Sequence, residues 1–149
     1  MKTWSVYLSG EIHSDWRDDI KKEIEDANLP VEISAPVTDH PASDNVGVDI
    51  LGEEKSDFWK DHKGAKINAV RTRTLIENSD IIVVKFGEKY RQWNAAFDAG
   101  YAAALGKKLI VLHPEEFTHA LKELDAAAFA VAENPSQVVE ILKYVTIKK

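Results

Sequence analysis

A single carboxylate stands in a stretch of small and apolar residues. Residues 93–108, WNAAFDAGYAAALGKK, predict an alanine-rich helix over 94–105 whose only acid is Asp98. We interpret Asn94 as the N-cap of this helix, which places Asp98 in the first turn, where the helix dipole favours an ionised carboxylate by about 0.3–1 kcal/mol. A helical wheel puts Phe97, Tyr101 and two later residues in the inward stripe and Asp98 at its margin. Asp98 is therefore either a functional anion facing a crevice or an acid that only complements the dipole.

A second charge falls on an apolar helical face. The helix predicted over 65–79 carries Ile67, Val70 and Leu75 on one side, and Arg71 lies within the same stripe. An unpaired buried charge costs several kcal/mol, so we expect Arg71 to meet a carboxylate such as Asp98 or an anionic ligand. The alternative is an arginine that lays its stem along the helix and keeps its guanidinium in water.

The segment SGEIHSDW (9–16) follows the first predicted strand and can approach a ligand. Gly10 predicts a tight turn and a helix begins near Ser14, which together form a backbone cradle for a phosphate or ribose, although one glycine is not a phosphate-loop signature. Glu11 is a candidate second carboxylate for acid/base work, and an exposed loop glutamate is the alternative. Ser9 and Gly87 are expected beside it, because both lie at the carboxyl ends of strands that meet at the same edge.

The sequence gives little support for a metal site or for a serine hydrolase site. Five ligand-type side chains lie between residues 39 and 62 without a compact spacing: Asp39, His40, Asp57, Asp61 and His62. No G-x-S-x-G elbow occurs, so a serine hydrolase is not favoured. We therefore predict no metal and no other cofactor.

Composition indicates one soluble globular domain over residues 1–149. The chain is 44% hydrophobic and 30% charged, with a formal net charge of −6. That charge argues against nucleic acid polymers and anionic membranes as primary partners. There is no cysteine, no 18-residue apolar run and no cleavable signal, so we expect a cytoplasmic protein.

Strands and helices alternate along the chain, which predicts an α/β fold. The predicted strands are 3–10, 31–37, 81–87, 108–114 and 127–132. The predicted helices are 14–30, 65–79, 94–105, 115–125 and 135–145. We expect a flavodoxin-like three-layer sandwich with a five-stranded parallel sheet in the order 2-1-3-4-5.

The ligand crevice of such a sheet lies beyond the carboxyl ends of the strands, where the strand order reverses. Here that point falls between the first strand and the strand at 81–87. Residues 36–64 are predicted as a long inserted loop, and because they contain several large apolar residues we expect them to fold over the crevice as a roof.

Three segments resemble the sequence marks of the nucleoside 2-deoxyribosyltransferase superfamily. They are YLSG (7–10), ENSDIIVV (77–84) and AAFDAGYAAALGKKLIVL (95–112). The segment SAPVTDHPASDNVG (34–47) and the run from 71 to 108 are similar, more specifically, to the YtoQ group. The resemblance implies a single domain of that type, a flavodoxin-like fold and cleavage of a nucleoside or nucleotide N-glycosidic bond by a transferase or hydrolase.

The same resemblance assigns roles to residues. Asp98 falls on the position of the nucleophile, which attacks the anomeric carbon and holds the sugar until a second base or water takes it. From the residues and the expected fold, the candidate substrate-binding residues are Tyr7, Ser9, Gly10, Glu11, Arg71, Gly87, Asn94 and Tyr101. The implied partners are a small-molecule nucleoside, nucleotide or phosphorylated sugar, and further copies of the chain in a homo-oligomer.

The chain differs from the family pattern at two positions. The family acid is usually glutamate, and Asp98 is one methylene shorter, which withdraws the reacting oxygen by about 1–1.5 Å. Thr72 stands where the family commonly has an aspartate, next to Arg71. These differences suggest a more anionic ligand, or the alternative of a non-catalytic module that binds a nucleotide or nucleotide-sugar.

Overall fold

Short runs of branched residues, covered on both faces, form one parallel sheet. The computed structural model describes residues 2–147. The strands are β1 (Trp4–Gly10), β2 (Val31–Ser34), β3 (Ile81–Lys85), β4 (Lys108–Leu112) and β5 (Ala130–Ala132). Their order is β2-β1-β3-β4-β5, and every pairing is parallel. The predicted α/β fold and its strand order are confirmed.

Helices cover both faces of the sheet. They are α1 (Trp16–Asp26), α2 (His40–Leu51), α3 (Asp57–Asn78), α4 (Trp93–Ala104), α5 (Lys122–Ala127) and α6 (Pro135–Thr146). The core on one face contains buried residues of α1 and α6, and the core on the other contains residues of α3 and α4 with partly buried residues of α5. Among the helices of residues 2–147, none combines the length and the apolar composition that a bilayer-spanning segment needs.

The alternation of side chains along β1 determines which residues reach which face. Val6 and Leu8 belong to the core beneath α1 and α6, whereas Tyr7 belongs to the core beneath α3 and α4. Ser9, two residues after Tyr7, points to the same face as Tyr7 and contacts Asp98 of α4. The end of β1 therefore presents a polar side chain to the start of α4.

The predicted long loop at 36–64 is wrong, because most of it is helical. Asp39 caps α2 by accepting the Ala42 N–H at 2.9 Å, and Ser56 caps α3 by accepting the Trp59 N–H at 3.4 Å. The two helices pack closely at a glycine, since a Cβ on Gly47 would lie 2.8 Å from the backbone nitrogen of Gly64. α2 packs on α3 and buries only Gly47, so the hydrophobic periodicity that identifies a helix is missing from its sequence.

The continuous helix predicted over 115–125 is also wrong. A 3-10 turn spans Glu115–Phe117, and α5 begins only at Lys122. The Thr118 hydroxyl donates to the Glu115 carbonyl at 2.7 Å, a local bond that competes with helix propagation. The helix predicted over 14–30 is shorter than expected, ending at Asp26.

Candidate active site

The carboxyl end of β1 meets the start of α4 through one short hydrogen bond. Ser9 is 1% exposed, and its hydroxyl donates to Oδ2 of Asp98 at 2.6 Å. Asp98 is half-buried, and no hydrogen bond reaches its Oδ1 from the described residues. The structure therefore brings two of the predicted site residues together and leaves one carboxylate oxygen without a protein partner.

The position of Asp98 within α4 differs from the prediction. The helix begins at Trp93 with Gln92 at the N-cap position, so the expected Asn94 cap is wrong and Asp98 lies beyond the first turn. The Gln92 side chain makes no cap bond to the helix and instead holds the preceding loop, because its amide accepts the Gly87 N–H at 3.1 Å and donates to two carbonyls of that loop at 2.7 Å each. Asp98 therefore does not gain the dipole stabilisation expected of a first-turn acid.

The inward face of α4 is made of alanines. Ala95, Ala99 and Ala102 are the buried residues of the helix, whereas Phe97 is 55% exposed, so the predicted inward position of Phe97 is wrong. Asp98 lies beside Ala99 and so faces the end of β1. Small inward residues allow α4 to approach the sheet closely enough for Ser9 to reach the carboxylate.

Burial controls the electrostatics of this pair. Burial raises the pKa of Asp98, and the hydrogen bond from Ser9 opposes that rise. Tyr7 is completely buried, and its hydroxyl is the one buried side-chain polar atom of residues 2–147 without a hydrogen-bond partner. Burial, and then the charge of Asp98, raise the pKa of Tyr7, so its hydroxyl stays protonated.

Glu11 is buried, so the alternative of an exposed loop glutamate is wrong. The side chain is 3% exposed, and it accepts the Ser14 hydroxyl at 2.5 Å, the Lys85 ammonium at 3.3 Å and the His13 N–H. Burial is the largest influence on its pKa and raises it, but these three donors together hold the pKa of Glu11 below its ordinary value.

Two glycines shape the turn that carries Ser9 and Glu11. Gly10 has φ +109°, and a Cβ there would lie 2.2 Å from the Lys85 carbonyl oxygen, so the predicted tight turn requires glycine. A Cβ on Gly87 would lie 2.5 Å from Cγ of Glu11. Gly87 therefore provides the space that the buried glutamate fills.

Arg71 does not pair with Asp98. It is exposed, and its guanidinium donates to the Ala35 carbonyl at 3.1 Å, with no carboxylate of the described residues within 4 Å. The expectation that Arg71 meets Asp98 is wrong because the guanidinium turns toward the end of β2. There it lines a polar cavity of about 490 Å³ together with Ser14 and Thr38.

The remaining predicted binding residues lie on the outer part of α4. Asn94 is exposed, and the Tyr101 hydroxyl donates to the carboxylate of Glu77 on α3. Among residues 2–147, no group of three or more acidic or histidine side chains is placed to hold a metal ion.

Sequence reasoning missed Arg17. Its side chain is buried, and its three guanidinium nitrogens donate to the carbonyls of Leu8, Gly10 and Glu11 at 3.0, 3.1 and 2.6 Å. The signal was present, because Arg17 precedes Ile20 by three residues and so lies on the inward face of α1.

A second cavity, of about 330 Å³, opens over the ends of β3 and β4. Its lining includes Glu11, His13, Lys85 and His113. His113 was also missed by sequence reasoning; it is 2% exposed and its Nε2 lies 2.9 Å from the Asp125 carboxylate. Asp98 lines neither this cavity nor the one beside Arg71.

Comparison with known sequences gives a family match over nearly the whole chain. The family model described as nucleoside 2-deoxyribosyltransferase YtoQ matches residues 7–146. The chain is 44% identical over 139 residues to the uncharacterized protein YtoQ of Bacillus subtilis (strain 168), covering 93% of this chain and 94% of that protein.

Solved structures share the fold at low sequence identity. A conserved protein from Enterococcus faecalis V583 aligns with TM-score 0.64 and 14% identity over 97% of this chain and 99% of its own. The 2-deoxyribosyltransferase of Bacillus psychrosaccharolyticus aligns with TM-score 0.56 and 17% identity over 91% and 90%. The CMP N-glycosidase BcmB of Clostridium botulinum aligns with TM-score 0.51 and 15% identity over 95% and 98%.

Proposed function

We propose, from the premise that this chain belongs to the nucleoside 2-deoxyribosyltransferase YtoQ family, that it breaks the N-glycosidic bond of a small nucleoside or nucleotide with Asp98 as nucleophile. The observation that carries the proposal is the bond from Ser9 to Oδ2 of Asp98, at the end of the sheet where ligands of such folds bind. The two relatives of known activity, a 2-deoxyribosyltransferase and a CMP N-glycosidase, support this class of reaction.

In the proposed reaction the two oxygens of the Asp98 carboxylate have different roles. The Ser9 hydroxyl orients Oδ2, and the lone pair of Oδ1 attacks the anomeric carbon of the sugar. The bond from that carbon to the base nitrogen breaks, and the base leaves with the bonding electrons and takes up a proton. A second base, or water, then attacks the same carbon and releases the carboxylate.

Neighbouring groups would orient the substrate. Arg71, which lines the polar cavity at the end of β2, can contact a base or phosphate. Large aromatic side chains near the site, Trp93 at 72% and Phe97 at 55% exposure, support a homo-oligomer in which another copy covers them.

Base release tests this proposal. The protein is incubated with deoxyribonucleosides and their monophosphates, and the free base is quantified by chromatography. We expect release by the native protein and by Asp26→Asn, which neutralises an exposed acid at the far end of α1, and none by Asp98→Asn. Equal release by the Asp98 variant would contradict the assignment of the nucleophile.

A non-catalytic nucleotide-binding module is the second candidate. It is favoured by one observation, namely that Asp98 lines neither described cavity. Thermal-shift measurements separate the two functions, since nucleotides that stabilise native protein and Asp98→Asn equally, without base release by either, would support the binding module.

A further inference from the structure

Arg17 is placed to control the site from the opposite side of β1. It lies on α1, beneath the core formed with α6, while Asp98 lies on α4 across the sheet. Its side chain is 6% exposed, and its guanidinium packs 4.6 Å from the ring centre of Trp16. It lines the same cavity as Arg71. All its guanidinium hydrogen bonds go to backbone carbonyls at the end of β1, so its influence on Asp98 passes through β1.

The hydrogen bonds of Arg17 enclose the residue that contacts Asp98. Nε donates to the carbonyl of Leu8, immediately before Ser9, and Nη2 donates to the carbonyl of Gly10, immediately after it. Nη1 donates to the Glu11 carbonyl at 2.6 Å. One rigid fork thus holds the peptide that precedes Ser9 and the two peptides that follow Gly10, and the Ser9 hydroxyl between them emerges on the other face toward Asp98.

The arrangement is costly, which indicates a specific role. No carboxylate of the described residues forms an ion pair with Arg17 within 4 Å, so a buried cation is held chiefly by neutral carbonyls. Burial lowers the pKa of Arg17 to about 10, which leaves it charged at neutral pH. A lysine has one donor group on a flexible stem and cannot bridge three carbonyls in a plane.

We propose that Arg17 is a positioning residue that holds the Ser9 hydroxyl against Asp98 and thereby sets the orientation and ionisation of that carboxylate. The catalytic consequence rests on the proposed function, whereas the structural link from Arg17 through Ser9 to Asp98 does not. The two are tested by different measurements.

The direct test is NMR titration of the Asp98 carboxyl in protein carrying 13C-labelled aspartate, with the signal assigned by its loss in Asp98→Asn. Ser9→Ala is expected to raise the pKa of Asp98 further, because it removes the hydrogen bond that lowers it. Arg17→Lys is expected to shift the pKa in the same direction. In the Ser9→Ala background, Arg17→Lys is expected to cause no further shift, because the link is already broken. Tyr7, on whose pKa the charge of Asp98 acts, is retained in every variant.

Two results would overturn the proposal. One is an Asp98 pKa that Arg17→Lys leaves unchanged, and the other is a shift of the same size with and without Ser9, which would indicate an effect that bypasses the hydroxyl. If Arg17→Lys does not fold, Arg17→Gln is titrated in its place, and loss of folding in both would also overturn it by showing that Arg17 maintains the fold.

Activity provides a separate readout. If the proposed function holds, Arg17→Lys is expected to lower kcat about 10–100-fold, the cost of moving a reacting group by about 1 Å, with KM changed much less. An equal rise in KM with kcat unchanged would contradict a positioning role. A coupled pKa shift in a protein that releases no base would leave the link intact and refute only the proposed function.

Discussion

Two carboxylates flank the carboxyl end of β1, and their surroundings are opposite. Glu11 lies on one side with three donors, which hold its pKa below the ordinary value. Asp98 lies on the other side with one donor, Ser9, and burial raises its pKa. One acid is saturated with hydrogen bonds, and the other keeps an oxygen free.

The number of hydrogen-bond donors around a carboxylate affects how readily it can act as a nucleophile. A carboxylate that accepts several donors is stabilised as an anion and becomes a poor nucleophile, because attack would break those bonds. A carboxylate with few donors in a partly apolar setting is less stabilised and more reactive. Asp98 has fewer hydrogen-bond donors than Glu11 and is more exposed. Both differences make Asp98 the candidate nucleophile.

The largest expected effect is on catalysis. Asp98→Asn keeps the shape of the side chain but removes the nucleophile, so we expect base release to fall by about 10⁴-fold or more. Steady-state assays of the native protein and both aspartate variants, Asp98→Asn and the exposed Asp26→Asn, measure this. If base release by Asp98→Asn fell by less than about tenfold, Asp98 could not be distinguished from Glu11 as the reactive acid.

Glu11→Gln is expected to act on stability instead. It weakens the interactions with the three donors, and we expect a loss of about 1–3 kcal/mol in the free energy of unfolding at neutral pH. Because the folded-state pKa of Glu11 lies below the ordinary 4.5, its contribution is present above that pH and is lost as the pH falls through the folded pKa. Urea unfolding at a series of pH values checks both statements, and a difference between native and variant that does not shrink in acid would contradict them.

A glycine comparison tests the space that Glu11 occupies. Gly87→Ala puts a methyl group into the glutamate side chain, and we expect a loss of about 1–3 kcal/mol through displacement of that side chain. Gly100→Ala is the matched control, because a Cβ there meets no atom within 4 Å, and on a helix it is expected to gain about 0.5–1 kcal/mol. Equal effects of the two substitutions on urea unfolding would show that the pocket around Glu11 is not tight.

The smallest expected effect is the change in stability caused by Asp98→Asn. At neutral pH this substitution should stabilise the protein, whereas Glu11→Gln should destabilise it. The folded state binds its proton more tightly than the ordinary value of 3.8 implies, so stability is lost as the pH rises through the folded pKa. We expect the variant to melt a few degrees above the native protein at neutral pH, and the gap to close below pH 3.8. A lower Tm for the variant at neutral pH would contradict the direction of the pKa shift.

The sheet could be predicted from the sequence because its signals are local. β3 and β4 are unbroken runs of branched residues, and such runs are typical of strands covered on both faces. The hairpin of α2 and α3 was missed because it packs through glycines rather than through an apolar stripe. Its remaining signals were the caps Asp39 and Ser56.

The candidate site could be predicted only in part. Ser9 and Asp98 were both predicted as site residues, and the structure brings them into contact. The burial of Glu11 could not be predicted, because it depends on donors that converge only after folding, whereas the spacing of Arg17 from Ile20 did indicate an inward position. The inward face of α4 was misjudged because large apolar residues are expected to be the buried ones, whereas the buried residues are Ala95, Ala99 and Ala102.

Locating the sugar on the protein tests directly whether Asp98 is the nucleophile. Native protein is mixed with deoxyribonucleosides and their monophosphates, quenched in acid, digested and analysed by peptide mass spectrometry. We expect a deoxyribosyl ester on Asp98 of the native protein and none in Asp98→Asn. Base release with the sugar attached to another carboxyl such as Glu11, or release with no covalent adduct at all, would contradict it.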